Sequence, residues 1–146
     1  MLILGIRGDD KRFYISGKVT STSLQTPIKI LFLVDTGATK TQLSWNDTLK
    51  NGINISNLPT DGIYTGLGGN VKGYSLSNTK IVFNGLRYEN VNFNINNLSI
   101  SDSVTIEGKP IPRGPSVVGI DFLKFFTIFF DNEIVYLKKN VFIIKK

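Results

Sequence analysis

The sequence contains no cysteine and no histidine. Their absence excludes a disulfide framework, a thiolate nucleophile, a Ser-His-Asp triad and an imidazole metal site. Hydrolytic chemistry in this chain would therefore have to use carboxylates, lysine, tyrosine or hydroxyl groups. We expect no metal ion and no cofactor.

The sequence also lacks an apolar run long enough to span a bilayer. Residues 1–6 are apolar, but Arg7 interrupts them too early for a secretory signal, and no basic segment precedes them. These features predict a cytoplasmic protein with no membrane association. With 146 residues, of which 41% are hydrophobic and 11% aromatic, we expect one packed domain comprising residues 1–146.

The net charge is +6, which can indicate a nucleic-acid partner. The 17 lysines and arginines are scattered, however, with doublets at 138–139 and 145–146 near the C-terminus. Dispersed basic residues are typical of a solvated surface, so we expect no nucleic acid. A small RNA-binding barrel is the alternative, and it predicts an affinity that falls steeply with salt.

One stretch combines a buried strand with a carboxylate. Residues 28–34 follow Pro27 and end in the apolar run 30–34, and Asp35-Thr36-Gly37 comes directly after them. A carboxylate at the end of a core strand is costly to desolvate unless it is paired or used. Asp35 is therefore a candidate functional residue, and a plain turn is the alternative.

Short strands and turns dominate the rest of the chain. We predict separate short strands at 13–15 and 19–20 with Ser16-Gly17 between them, and a glycine-rich hairpin over 62–73. Strands are also predicted at 80–83, 88–95, 127–130, 134–138 and 141–144. Residues 97–116 lose the alternating pattern and gather three prolines, so we predict a long loop there.

Helical signals are few. Ser44 with Asp47 three residues later resembles a capping box, and Gly52 ends the segment, which predicts a helix over 44–51. A single helical turn is predicted after the strand that ends at Gly119. The chain is therefore expected to be all-β with one or two short helices.

Two segments carry a family resemblance. Residues 31–39 (Leu-Phe-Leu-Val-Asp-Thr-Gly-Ala-Thr) resemble the active-site loop of the aspartic proteases, and Ala38 and the chain length resemble the retropepsin branch. Val117-Val118-Gly119 is similar to the second signature of that family, whose glycine packs close to the catalytic loop. The glycine-rich hairpin lies between them, where the substrate-covering flap belongs. The resemblance covers most of residues 28–138.

The resemblance implies a retropepsin-like closed β-barrel that forms a symmetric homodimer. It implies an aspartic endopeptidase that cleaves extended peptides or unfolded protein, with Asp35 as the catalytic group. Because Asp-Thr-Gly occurs once, each subunit would contribute one Asp35 to a dyad. The implied roles are support of the active-site loop by Thr36, Gly37 and Ala38, substrate binding by a flap with Tyr64, Gly66, Leu67, Gly68 and Gly69, and a second loop with Val117, Val118 and Gly119.

The sequence departs from the family pattern in places. Thr39 and Ile120 stand where retroviral enzymes have an Asp and an Arg that pair, so that inter-subunit salt bridge is not expected here. Ala38 cannot donate the hydrogen bond of the serine in digestive relatives, so we expect a mildly acidic activity optimum. The first 25 residues have no counterpart that aligns. A peptide-binding or dimerisation module with little turnover is the second hypothesis.

Overall fold

The structure, a computed structural model, describes residues 2–66, 69–83, 91–101, 104–107, 109–111 and 114–140. These residues form strands, two α-helices and a 3-10 helix at Ile55–Asn57. The helices are α1 (Trp45–Lys50) and α2 (Ile120–Leu123). The strands are β1 (Leu2–Arg7), β2 (Phe13–Thr20), β3 (Ile28–Val34), β4 (Gln42–Leu43), β5 (Thr60–Gly66), β6 (Gly69–Phe83), β7 (Val91–Ser101), β8 (Val104–Ile106), β9 (Lys109–Ile111), β10 (Val117–Val118), β11 (Phe126–Phe130) and β12 (Ile134–Lys139).

Six strands close into a barrel. The main sheet has the order β11-β12-β1-β2-β3-β10-β4-β7-β6-β5, and β2 also pairs with β6. This additional pairing, which runs from Gly17 opposite Phe83 to Thr20 opposite Lys80, joins β2, β3, β10, β4, β7 and β6 into a ring. The predicted all-β barrel with two short helices is therefore confirmed. Among the described residues, no helix is long and apolar enough to cross a membrane.

The barrel interior is packed with aromatic and branched side chains. Phe32 and Phe83 are fully buried with ring centroids 5.6 Å apart, and Phe122 of α2 lies 4.6 Å from Phe83. Burying each phenylalanine stabilises the fold by about 1.5–3 kcal/mol. Phe122 also connects the barrel core to β11, because its ring lies 4.7 Å from that of Phe126.

The predicted break at Ser16-Gly17 is wrong, because β2 runs without interruption from Phe13 to Thr20. A Cβ atom on Gly17 would lie 3.0 Å from Phe32 Cε2 and 3.1 Å from Phe83 Cε1. The glycine therefore allows aromatic rings to pack on the strand backbone and does not mark a turn. β1 and β2 also show that much of the first 25 residues belongs to the main sheet.

The predicted helix over 44–51 is confirmed as α1 with its two caps. The Ser44 hydroxyl accepts a hydrogen bond from the Asp47 N–H, and Asn51 is the C-cap. Gly52 has a φ of 68°, the left-handed conformation that glycine adopts at low cost after a helix.

The predicted long loop at 97–116 is wrong. β7 continues to Ser101 and pairs with β6, and β8 and β9 form a small hairpin. The alternation was lost because the core-facing side changes within β7, from Phe93 and Ile95 to Leu98 and Ile100. β6 changes sides at the same level, beside Asn78, whose φ is 48°.

The predicted hairpin after α2 is confirmed as antiparallel β11 and β12, and β12 also pairs with β1. The turn that was predicted at residues 84–85 and the last strand predicted at 141–144 lie outside the described residues.

Candidate active site

β3, the strand that leads to Asp35, pairs with β2 on one side and with β10 on the other. β10 lies between β3 and β4, which the loop of residues 35–41 connects. β10 runs parallel to β3, with Val117 opposite Leu33 and Val118 opposite Val34. The Asp35 N–H donates to the Val118 carbonyl at 3.2 Å. Asp35 therefore leaves the sheet at the end of β10, with its backbone position set by the sheet.

The Asp35 carboxylate is half-buried and one of its oxygens is held by the following turn. Asp35 Oδ1 accepts a hydrogen bond from the Gly37 N–H at 2.9 Å, and the Ala38 N–H donates to the Asp35 carbonyl at 3.2 Å. Thr36 and Gly37 are exposed beside it. Within the part of the chain that the structure describes, the Thr36 hydroxyl has no hydrogen-bond partner. The turn thus exposes the Asp35 carboxylate, the Thr36 hydroxyl and the backbone of Gly37 beside one another.

Gly119 packs directly against the backbone of this turn. A Cβ atom on Gly119 would lie 2.7 Å from the Ala38 carbonyl oxygen and 2.8 Å from the Lys40 carbonyl. These contacts are to backbone atoms, so a side chain there would displace the loop. The Ile120 N–H also donates to the Ala38 carbonyl at 2.8 Å. The start of α2 and the Asp35 loop are therefore in direct contact.

A second connection between α2 and the loop joins Thr41 to Asp121. The Thr41 N–H lies 3.0 Å from both Asp121 carboxylate oxygens, and Thr41 Oγ1 donates to Asp121 Oδ1 at 2.7 Å. The same hydroxyl accepts from the Gly119 N–H at 3.2 Å. Sequence analysis did not identify this pair. Asp121 follows the Val117-Val118-Gly119 signature, but no local pattern in the sequence indicates its partner 80 positions away.

Asp35 lines an open cleft with a volume of about 320 Å³. The structure brings together three of the predicted site residues there, Asp35, Ala38 and Val117, whereas the Val118 side chain is buried in the core. The other residues that line the cleft include Arg12, Gln42, Ser44 and Pro115. The cleft is therefore bordered by small polar and apolar side chains, with one acidic and one basic residue among those described.

Buried serines fix one wall of this cleft. Ser116 is fully buried, and its hydroxyl donates to Asp47 Oδ2 at 2.5 Å and accepts from the Ser44 N–H at 2.9 Å. The acid of the predicted capping box thus connects α1 to the segment before β10, and it also accepts from the hydroxyl of the N-cap Ser44 at 3.1 Å. This network holds residues 114–116 against α1.

Asp10, Arg12 and Tyr14 form a cluster at the rim of the cleft that sequence analysis missed. Asp10 accepts from the Arg12 backbone N–H at 3.0 Å, from Arg12 Nε at 2.9 Å and from the Tyr14 hydroxyl. The bond from Tyr14, followed by those from Arg12, lowers the pKa of Asp10 to about 2. Burial raises the pKa of Tyr14. The chain turns at Lys11, whose φ is 65°, so strand periodicity in the sequence does not predict that Asp10 lies beside Arg12 and Tyr14.

The predicted glycine-rich hairpin, the candidate flap, is formed by β5 and β6. β5 pairs antiparallel with β6 from Thr60 opposite Tyr74 to Gly66 opposite Gly69, and Tyr64 pairs with Val71. Leu67 and Gly68 lie outside the described residues, as do the side chains of residues 61–72.

A larger cavity of about 470 Å³ lies elsewhere, between residues 23–28 and 51–59. None of the described residues that line it has a charged side chain, and Asp35 is not among them. It therefore offers no group for acid–base chemistry. No group of three or more acidic side chains able to hold a metal ion occurs among the described residues.

Known proteins resemble the whole barrel. The structure is similar to that of a retropepsin-like aspartic protease from Rickettsia conorii, with a TM-score of 0.57 and 23% sequence identity, over 94% of this chain and 90% of that one. No curated protein sequence matches the chain. The aspartyl protease family model matches residues 15–122, a segment that includes both signatures, around Asp35 and Gly119. Because this match begins at residue 15, the expectation that the first 25 residues have no aligned counterpart is wrong. The protein therefore belongs to the aspartyl protease family and has the retropepsin-like fold.

Proposed function

We propose that this protein is an aspartic endopeptidase that cleaves extended polypeptides with a dyad made of Asp35 from two identical subunits. The observation that carries the proposal is the Asp35 carboxylate, which is half-buried in an open cleft and oriented by the Gly37 N–H. Membership of the aspartyl protease family supports the reaction class.

The chemistry requires two carboxyl groups. One acts as a base that activates water, and the other acts as an acid toward the carbonyl of the scissile bond. Two carboxylates at close range cannot both ionise readily, so they share a proton and titrate as a pair, which is the known behaviour of aspartic protease dyads. Of the described residues that line the cleft, Asp35 alone has a carboxylate. One protomer therefore supplies half of the required pair.

The surface around Asp35 fits a second copy. Thr36 and Gly37 are exposed, and the Thr36 hydroxyl is available for a hydrogen bond across a two-fold axis. β11 has β12 as its one sheet neighbour among the described strands, and Phe129 and Phe130 beside this free edge are 39% and 59% exposed. Exposed apolar side chains along an edge that has no partner among the described strands favour association with another chain.

The β5–β6 hairpin is the proposed flap. It would close over an extended peptide, exclude water from the dyad and add strand-like hydrogen bonds to the substrate backbone. Gly66 and Gly69, paired at its end, allow the backbone to approach the peptide closely. A cytoplasmic location, with no nucleic-acid or membrane partner, remains our prediction from the sequence.

The test compares peptide cleavage by wild type, Asp35→Asn and Asp9→Asn across pH. Asn cannot act as base or acid, so we expect Asp35→Asn to lower kcat/KM by about 10³-fold. Asp9→Asn makes the same chemical change at an exposed residue outside the cleft and should keep full activity. Wild-type cleavage should be sensitive to pepstatin. Persistent cleavage by Asp35→Asn would overturn the proposal, and peptide binding without cleavage by wild type would favour the binding module.

A further inference from the structure

Arg12 is placed to meet the substrate in the same cleft as Asp35. β2 and β3 pair antiparallel up to Tyr14 opposite Leu33, and two residues beyond this pair the chain reaches Arg12 on one side and Asp35 on the other. Both residues line the cleft. Among the described lining residues, Arg12 is the one with a positive charge.

The Asp10 carboxylate fixes the direction of the Arg12 side chain. It binds the backbone N–H of Arg12 at 3.0 Å and the Nε of the same residue at 2.9 Å, and the hydroxyl of buried Tyr14 holds Asp10 in place. These contacts lower the pKa of Asp10 to about 2, so Asp10 stays ionised at mildly acidic pH. Arg12 is therefore held by one edge of its guanidinium.

The other edge of the guanidinium remains available. The Arg12 side chain is 52% exposed, and Asp10 is the one carboxylate that it pairs with among the residues that the structure describes; the Tyr14 hydroxyl is its other polar neighbour. A guanidinium offers a planar pair of N–H donors that matches the two oxygens of a carboxylate.

We propose that Arg12 is a specificity-determining residue that binds a carboxylate of the peptide substrate. This inference rests on the proposed endopeptidase function. The carboxylate belongs either to an internal Glu or Asp side chain or to the C-terminus of a short peptide. Because the Asp35 dyad carries negative charge, the acidic group lies some residues away from the scissile bond. In a symmetric dimer the two copies of Arg12 would give a preference on both sides of that bond.

The experiment measures kcat/KM for a cleaved peptide in which Glu replaces Gln at one position at a time, each made with a C-terminal amide and with a free acid. Wild type, Arg12→Gln, Arg12→Lys and Lys11→Gln are compared. Lys11→Gln is the matched control, because it removes the same charge from the neighbouring residue, which does not line the cleft. Thermal unfolding checks that each variant is folded.

We expect wild type to prefer Glu over Gln at one position, or at two symmetric positions, by about 10-fold, mainly through KM. Arg12→Gln should abolish this preference, Arg12→Lys should reduce it, and Lys11→Gln should retain it. A preference seen with the free acid alone would assign the bound group to the peptide C-terminus.

The outcomes separate the two proposals. Cleavage by wild type with an equal Glu preference in Arg12→Gln, or with no preference at all, overturns the role of Arg12 alone. If Arg12→Gln does not fold, an undiminished preference in Arg12→Lys overturns the role in the same way. Failure of wild type to cleave any peptide overturns the proposed function, and this inference with it.

Discussion

Replacing Thr41 with valine should weaken the connection between the Asp35 loop and α2 while keeping the shape of the side chain. Thr41 is 4% exposed, and its hydroxyl both donates to Asp121 Oδ1 at 2.7 Å and accepts from the Gly119 N–H at 3.2 Å. A hydrogen bond to a charged group contributes about 1.5–3 kcal/mol, and leaving a buried N–H unpaired costs about 1–3 kcal/mol. We expect Thr41→Val to lower the free energy of unfolding by about 3 kcal/mol.

Thr41→Ser is the matched control, because serine retains the hydroxyl and loses one methyl group. Loss of that methyl should cost about 1 kcal/mol. Urea unfolding at a fixed protein concentration measures both variants, since association would make the apparent stability depend on concentration. Equal losses in the serine and valine variants would refute the reasoning, because they would show that the hydroxyl contributes nothing.

Three further changes have definite expected outcomes. Gly119→Ala places a methyl group 2.7 Å from the Ala38 carbonyl oxygen, so urea unfolding should show a loss of about 1–3 kcal/mol together with lower peptidase activity. Ala38→Ser adds a donor that favours the ionised dyad, so the pH optimum for peptide cleavage should move from mildly acidic to more acidic values; a wild-type optimum near pH 2 would contradict this. The pKa of Asp10 is lowered from 3.8 to about 2 in the folded protein, so its contribution to stability is present above pH 3.8 and is lost as the pH falls through about 2. The melting temperatures of wild type and Asp10→Asn should therefore differ at neutral pH and converge toward pH 2.

Local signals in the sequence predicted the elements that depend on neighbouring residues. The apolar run before Asp35 predicted β3, and Ser44 with Asp47 and Gly52 predicted α1 with its ends. These signals work because a buried strand and a helix cap are each specified within a few positions.

Features that depend on distant partners were missed. Ser16-Gly17 was predicted to separate two strands because a glycine with no large neighbour in sequence favours a turn. The rings of Phe32 and Phe83, which pack on Gly17, come from other strands and are not visible in the local pattern. β7 was ended too early because its core-facing side reverses between Ile95 and Leu98, where the paired strand β6 also changes sides, and a single alternating pattern does not predict such a reversal.

The residues of the candidate site likewise fall into two groups, those that a local motif identified and those that it did not. Asp35 and Gly119 were found because each lies in a short recognisable motif. Arg12 and Thr41 were missed because their importance arises from contacts across the fold, with the Asp35 cleft in one case and with Asp121 in the other.

The most direct test of the shared dyad is a subunit-mixing experiment. Wild-type protein at a concentration where it is fully associated is allowed to exchange subunits with an equal amount of Asp35→Asn protein, and the cleavage rate is measured. If two copies of Asp35 form one active site, about half of the wild-type subunits enter inactive mixed pairs, so the rate falls to about half, and a threefold excess lowers it to about a quarter. A rate that is unchanged by the added variant would show that each protomer is complete by itself and would contradict the account.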